Sequence, residues 1–122
     1  MNNPTHKDQI PPLRSPHGEI VYEMIGRAVE HGGVILHSLA HIVIPAGKAS
    51  LKHYHKIGEE TYYILRGNAR MVLDGQAFSS APYQAILIKP GQWHQIFNAG
   101  EEDLEFLAIC APAWQSEDSY HD

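Results

Sequence analysis

The 122-residue chain lacks most of what several protein classes require. Its one cysteine, Cys110, has no partner for an internal disulfide, and it falls within an apolar strand pattern where a buried, inert thiol is expected. No apolar run approaches the roughly 20 residues that cross a bilayer as a helix. The amino-terminal stretch MNNPTHKDQIPPLRS has no apolar h-region of a secretory signal, so a cytoplasmic protein is expected. Positive charge is sparse and scattered: 9 Lys and Arg stand against 14 Asp and Glu, for a net charge of −5. That balance argues against a nucleic-acid groove. Helical periodicity is missing, nothing repeats at a fixed period, and no Gly/Ser-rich linker divides the chain. With 43% hydrophobic and 19% charged residues, the composition is that of one ordinary globular domain. It is long enough to bury a core without cross-links.

What is present is a series of short strand patterns. Residues 1–18 hold four of the eight prolines and little apolar pattern, and are expected as an extended arm, loose or laid along a neighbour. The folded body is expected over residues 19–112. Strands are predicted at Ile20 to Ile25, Val34 to Ile44, Ser50 to His55, Glu60 to Leu65, Asn68 to Leu73, Ala85 to Ile88, His94 to Asn98 and Leu104 to Ala111. Asp74-Gly75 is a hairpin signal. Residues 79–84 are expected as a loop around Pro82, residues 26–33 as a turn or one helical turn at most, and residues 113–122 as an irregular acidic tail. Many short strands separated by Gly, Pro and Asp turns make an all-β sandwich or barrel.

Two stretches carry chemistry. In GKASLKHYHKIGEETYYILRG, from Gly47 to Gly67, His53 and His55 share one face of a strand while Tyr54 takes the other. Lys56 to Gly58 is expected as a tight connection, with Gly58 available for a positive φ. A hairpin there can bring Glu60 beside both imidazoles. Two neutral nitrogens and a carboxylate converging from neighbouring strands make a metal site with open positions. The second stretch is Pro90-Gly91-Gln92-Trp93-His94. His94 opens a strand, and if its face is interior it completes a set of three histidines and one glutamate.

These stretches resemble the two motifs of the cupin family. The first is a glycine, five residues, HxH, three or four residues, Glu, six residues and Gly. Gly47, His53, His55, Glu60 and Gly67 fit it throughout. The second is a glycine, five residues, PxG, two residues, His, three residues and Asn. Gly91, His94 and Asn98 fit it, whereas Tyr83 stands where the first glycine is usual and Lys89 where the proline is usual. The resemblance implies an all-β, double-stranded β-helix (jelly-roll) cupin barrel, usually a homodimer, with a divalent transition metal (Fe, Mn, Ni, Cu or Zn) in its mouth. Its ligands would be His53, His55, Glu60 and His94. Of the adjacent pair Glu59 and Glu60, only Glu60 keeps the spacing to Gly67, and Glu59 is taken as a solvated neighbour.

Alternation from Glu60 places Tyr62 and Ile64 inward, with Met71, Leu73 and Ile96 in the same apolar lining. Tyr62 and Glu60 are the candidate catalytic groups, Tyr62 as a hydrogen-bond donor to a small-molecule substrate. His37 and His41, four apart on one predicted strand, are read first as surface or interface imidazoles, the alternative being that one of them supports the metal ligands or acts as an acid/base group near the metal. Trp93 either caps the barrel mouth or packs beside His94. Trp114 is expected to pack the tail onto the barrel, and Glu117 and Asp118 to be solvated. The function expected is metal-dependent chemistry on a small organic molecule, with dioxygenase-type oxygen chemistry placed ahead of Lewis-acid isomerisation or cyclisation and of non-catalytic ligand binding. A sugar phosphate would need a basic clamp, for which Arg66, Arg70, Lys52 and Lys89 are the candidates.

Overall fold

The computed structural model describes residues 3–121; residues 1, 2 and 122, at the ends of the expected arm and tail, lie outside them. The strands are β1 (Leu13–Arg14), β2 (Ile20–Ile25), β3 (Ser38–Ile44), β4 (His53–His55), β5 (Glu59–Arg66), β6 (Ala69–Leu73), β7 (Gln76–Ser80), β8 (Ala85–Ile88), β9 (His94–Asn98), β10 (Leu104–Ala111) and β11 (Ser119–His121). Among the described residues, helical structure is confined to three short 3₁₀ turns, one of them at Val29–His31 within the expected turn. No helix among the described residues is long and apolar enough to cross a membrane.

Two antiparallel sheets face each other. One runs β1-β2-β3-β10-β5-β8 and the other β11-β4-β9-β6-β7. Each strand alternates, so inward side chains form one core: Ile42 and Ile44 from β3, Tyr62 and Ile64 from β5, Met71 from β6, Ile96 from β9, and Leu104 and Phe106 from β10. The architecture is the expected all-β double-stranded β-helix.

Several boundaries differ for physical reasons. The strand expected from Val34 begins at Ser38, because Gly32 and Gly33 both take positive φ and the chain reaches the sheet only afterwards. The strand expected from Ser50 is regular only at His53–His55. Strand β7 runs through Ser80, closed by the predicted Asp74-Gly75 hairpin, whose φ values of 48° and 81° suit a tight two-residue turn. Both termini add strands. Leu13–Arg14 pairs with β2 of the same chain. The tail, expected as irregular, folds back so that Ser119–His121 pairs residue for residue with β4.

Two departures at the motifs are explained locally. Tyr83, in the place of a glycine, takes φ 72°, the left-handed conformation that a glycine would adopt without strain. Lys89, in the place of a proline, donates its backbone N–H to Gln92 Oε1 at 2.8 Å, a bond that proline cannot make.

Candidate metal centre

Four side chains from three strands meet at one end of the barrel. Strand β4 supplies His53 and His55, β5 supplies Glu60, and β9 supplies His94, directly across from His53 in the sheet. One donor atom from each lies within 4.8 Å of the others. His55 Nε2 is 3.2 Å and His94 Nε2 3.5 Å from Glu60 Oε1. His55, Glu60 and His94 are buried and His53 partly so. Tyr54 takes the opposite face, as alternation requires, and stacks on Tyr120 at 5.1 Å.

The ring nitrogens turned away from this centre are anchored. His53 Nδ1 lies 2.8 Å from Leu51 O, and His94 Nδ1 3.0 Å from Gln92 O. A nitrogen facing a carbonyl must be the protonated one, which leaves Nε2 of each ring as a lone-pair donor toward the centre. His55 Nδ1 has the Ser119 hydroxyl of β11 at 3.3 Å. Facing inward, His55 Nε2, Glu60 Oε1 and His94 Nε2 are buried with no partner at hydrogen-bonding geometry among the described residues. Orphaned buried atoms are costly, and a divalent cation is what three imidazoles and one carboxylate satisfy. The donor set thus fits a divalent metal.

Protonation follows the same geometry. Burial first, and the neighbouring His94 second, push the His53 pKa down to about 4, so this ring is neutral. Burial alone would raise the Glu60 carboxyl, but the imidazoles of His55 and His94 outweigh it and hold it at about 2. Burial likewise opposes a charge on His55, and the Glu60 carboxylate overcomes it and raises that pKa. Tyr62 is raised well above the usual phenol value by burial and then by the Glu60 and Glu19 carboxylates, so it keeps its proton.

Beside the centre lies a cavity of about 240 Å³. Tyr62 lines it, its ring 5.9 Å from that of His94. Ile64, Met71 and Ile96 do not: they point inward but fill the closed end of the barrel at 0% exposure. The apolar wall comes instead from Val21, Ala40, Ile42 and Ala108, on β2, β3 and β10. Trp114 does tie the tail to the barrel, through its backbone N–H to Ser38 Oγ and its indole N–H to Ser119 Oγ, but it also lines the cavity.

His37 precedes β3 and is exposed, while His41 faces outward with Nε2 2.9 Å from Glu105 Oε1. Trp93 packs against Tyr54 at 4.6 Å on the outer face. Arg70 lies over Phe97 and Lys52 over Trp93, Arg66 pairs with Glu105, and Lys89 is exposed. No Lys or Arg lines the cavity among the described residues. Asn98 is structural: its amide N–H groups donate to Ile44 O and Glu102 O.

Asp118 overturns the expectation of a solvated tail residue. It is 8% exposed, and its carboxylate accepts three successive backbone N–H groups, from Lys56 at 3.1 Å, Ile57 at 2.9 Å and Gly58 at 2.8 Å. It therefore fixes the turn between the ligand strands β4 and β5. Gly58 does not use a positive φ; it is needed for space, since a Cβ there would sit 2.9 Å from Cys110 Sγ. Glu19 and Glu23 are further cavity residues outside the motifs. Glu23 carried a signal, as alternation in IVYEMI puts it in phase with Val21 and Ile25; Asp118 and Ser119 carried none.

A family model described as the cupin domain matches residues 40–110, more than half of the chain, and the chain belongs to the cupin family. It is 34% identical over 115 residues to the uncharacterized protein MJ1618 of Methanocaldococcus jannaschii, covering 94% of this chain and 90% of that one. It is 28% identical over 103 residues to an oxalate-binding protein of Thermotoga maritima, covering 84% of each. Among solved structures, the nucleoside dehydratase Pac13 superposes with a TM-score of 0.80 at 16% identity, over 100% of this chain and 92% of that one. The last likeness shows the fold alone, and one barrel serving such different proteins leaves function to the site.

Proposed function

We propose that this cupin is a metal-dependent enzyme acting on a small organic molecule, with dioxygenase-type oxygen chemistry ahead of other reactions. The observation that carries the reading is the convergence of His53, His55, Glu60 and His94 beside a cavity, with three of their donor atoms buried and unsatisfied. A metal bound there would supply open coordination positions for a substrate oxygen and O₂. The chain's own groups do the rest. Leu51 O and Gln92 O hold two of the rings in the metal-binding tautomer. The wall of Val21, Ala40, Ile42 and Ala108 excludes water from the bound ligand, and Tyr62, which stays protonated, donates a hydrogen bond to it. A cavity without Lys or Arg disfavours a sugar phosphate. A second reading, isomerisation or cyclisation of a carbonyl compound, draws on Glu23, a carboxyl lining the same cavity. The homodimer implied by the family is part of the proposal.

The test is elemental analysis of untagged protein purified without added metal, beside His94→Ala and Glu60→Ala. Stoichiometric iron, manganese, nickel or copper that both variants lose while keeping their β-sheet circular dichroism is the expected result. Zinc would move the reading to Lewis-acid chemistry. A parent that takes up none of these metals, even on reconstitution, refutes it.

A further inference from the structure

Glu23 stands beside the apolar wall of Val21, Ala40, Ile42 and Ala108. Its Cα pairs with Ala40 on β3, Ala40 with Ala108 on β10, and Ala108 with Tyr62 on β5. The four residues form one inward row across the sheet, all lining the cavity. The two alanines leave the middle of that row hollow. Glu23 and Tyr62 thus stand at opposite ends of a trough floored by two methyl groups. The register shifts directly after Glu23, between it and Ile25, the kind of irregularity that re-aims a side chain.

The carboxyl is housed there. Glu23 Oε1 is sealed from solvent with no hydrogen-bond partner among the described residues. A Cβ at Gly26 would sit 2.8 Å from that atom, so the bare glycine makes room for it. Burial pushes the Glu23 pKa up to about 7, and at pH 8 most copies carry the charge. The titratable groups lining the same cavity are Glu19, Glu60 and Tyr62, Cys110, and the imidazoles of His53, His55 and His121; β3 contributes only Ser38, Ala40 and Ile42. Among the described residues no Lys or Arg lines the cavity to neutralise a bound anion.

We propose that Glu23 is a specificity-determining residue of this pocket, its carboxyl hydrogen-bonding the far end of an uncharged polar ligand and repelling a dianion such as a small dicarboxylate. The proposal rests on the metal reading above. It separates this pocket from that of a protein built to bind oxalate, although such a protein is among the chain's relatives.

The experiment titrates Mn(II)-loaded parent, Glu23→Gln and Glu23→Ala protein at pH 8 with oxalate and with oxamate. These are planar ligands of similar shape carrying two and one negative charges. Binding is read by calorimetry and metal content is measured in every sample. Removing the opposing charge is expected to tighten oxalate by about tenfold or more in both variants, and oxamate by less. Oxalate affinity that is the same in all three proteins, or binding that tightens equally for both ligands, overturns the proposal. A parent that takes up no manganese overturns the metal reading and this one with it. Elemental analysis tells that result apart from a loaded pocket indifferent to Glu23.

Discussion

Replacing Glu23 by glutamine should change stability in a way that depends on pH, and the structure sets both the sign and the size. The folded Glu23 carboxyl has a pKa of about 7, against 4.5 for the unburied group, and burial is the cause. Between those values the folded chain holds a proton that the unfolded chain has released. By linkage, stability then falls as pH rises from about 4.5, and the full penalty is reached above about 7. A displacement of that size corresponds to about 3 kcal/mol, and water reaching the mouth of the cavity screens the carboxylate and brings it nearer to about 2 kcal/mol. Glutamine is neutral throughout, so the difference between variant and parent isolates this one group while every other titration cancels. Urea unfolding with a chelator present should give nearly equal stabilities near pH 4.5. At pH 8 Glu23→Gln should be the more stable by about 2 kcal/mol, or about 8 °C in Tm for a chain of this length. A difference that does not vary with pH would refute the placement of a half-buried carboxyl, its Oε1 sealed and without a partner, in this wall.

Three further outcomes follow from single residues. Tyr83→Gly should stabilise the protein by about 0.5–1 kcal/mol in urea unfolding, because φ 72° is strained for tyrosine and its side chain, 76% exposed, loses little contact; destabilisation would show that the ring is held by something other than the barrel. Asp118→Ala should cost about 2–4 kcal/mol and weaken metal binding about tenfold, since three N–H groups next to His55 lose their acceptor; unchanged metal affinity in a destabilised variant would separate the turn from the site. Cys110, its thiol pushed up to about 12 by burial and by the Glu60, Asp118 and Glu23 carboxylates, should resist iodoacetamide at pH 8 in the folded protein and react promptly in urea, as read by mass spectrometry; rapid labelling without denaturant would contradict its burial.

The parts of this molecule legible in its sequence are those that depend on local spacing. A period of two puts His53 and His55 on one face, and a three-residue turn returns Glu60 to them, so three of the four members of the metal group could be read from local spacing, while His94 came from the second motif of the family resemblance. Alternation also separates inward from outward residues correctly along β5, β6 and β9. It does not give depth. Ile64, Met71 and Ile96 have the same phase as Glu60 and His94, yet they lie at the closed end of the barrel, and the cavity wall is built by strands β2, β3 and β10. Depth depends on how far each strand runs past its neighbour, which is set by pairings between residues far apart in the chain.

The acidic tail makes the same point about charge. Glu117 and Asp118 are neighbours in an exposed-looking segment, and nothing in their local pattern distinguishes them. Asp118 is buried because β11 pairs with β4 and carries it to the backbone of Lys56, Ile57 and Gly58, roughly 60 residues away. The same pairing brings the Ser119 hydroxyl to His55 Nδ1. A terminal strand therefore does two things for a site to which it contributes no ligand. It satisfies the turn that joins two ligand strands, and it closes one side of the cavity through Ser119 and His121. Gly58 belongs to the same arrangement: a side chain there would collide with Cys110 and crowd Asp118, so the glycine of this turn is explained by what packs over it rather than by the path of its backbone.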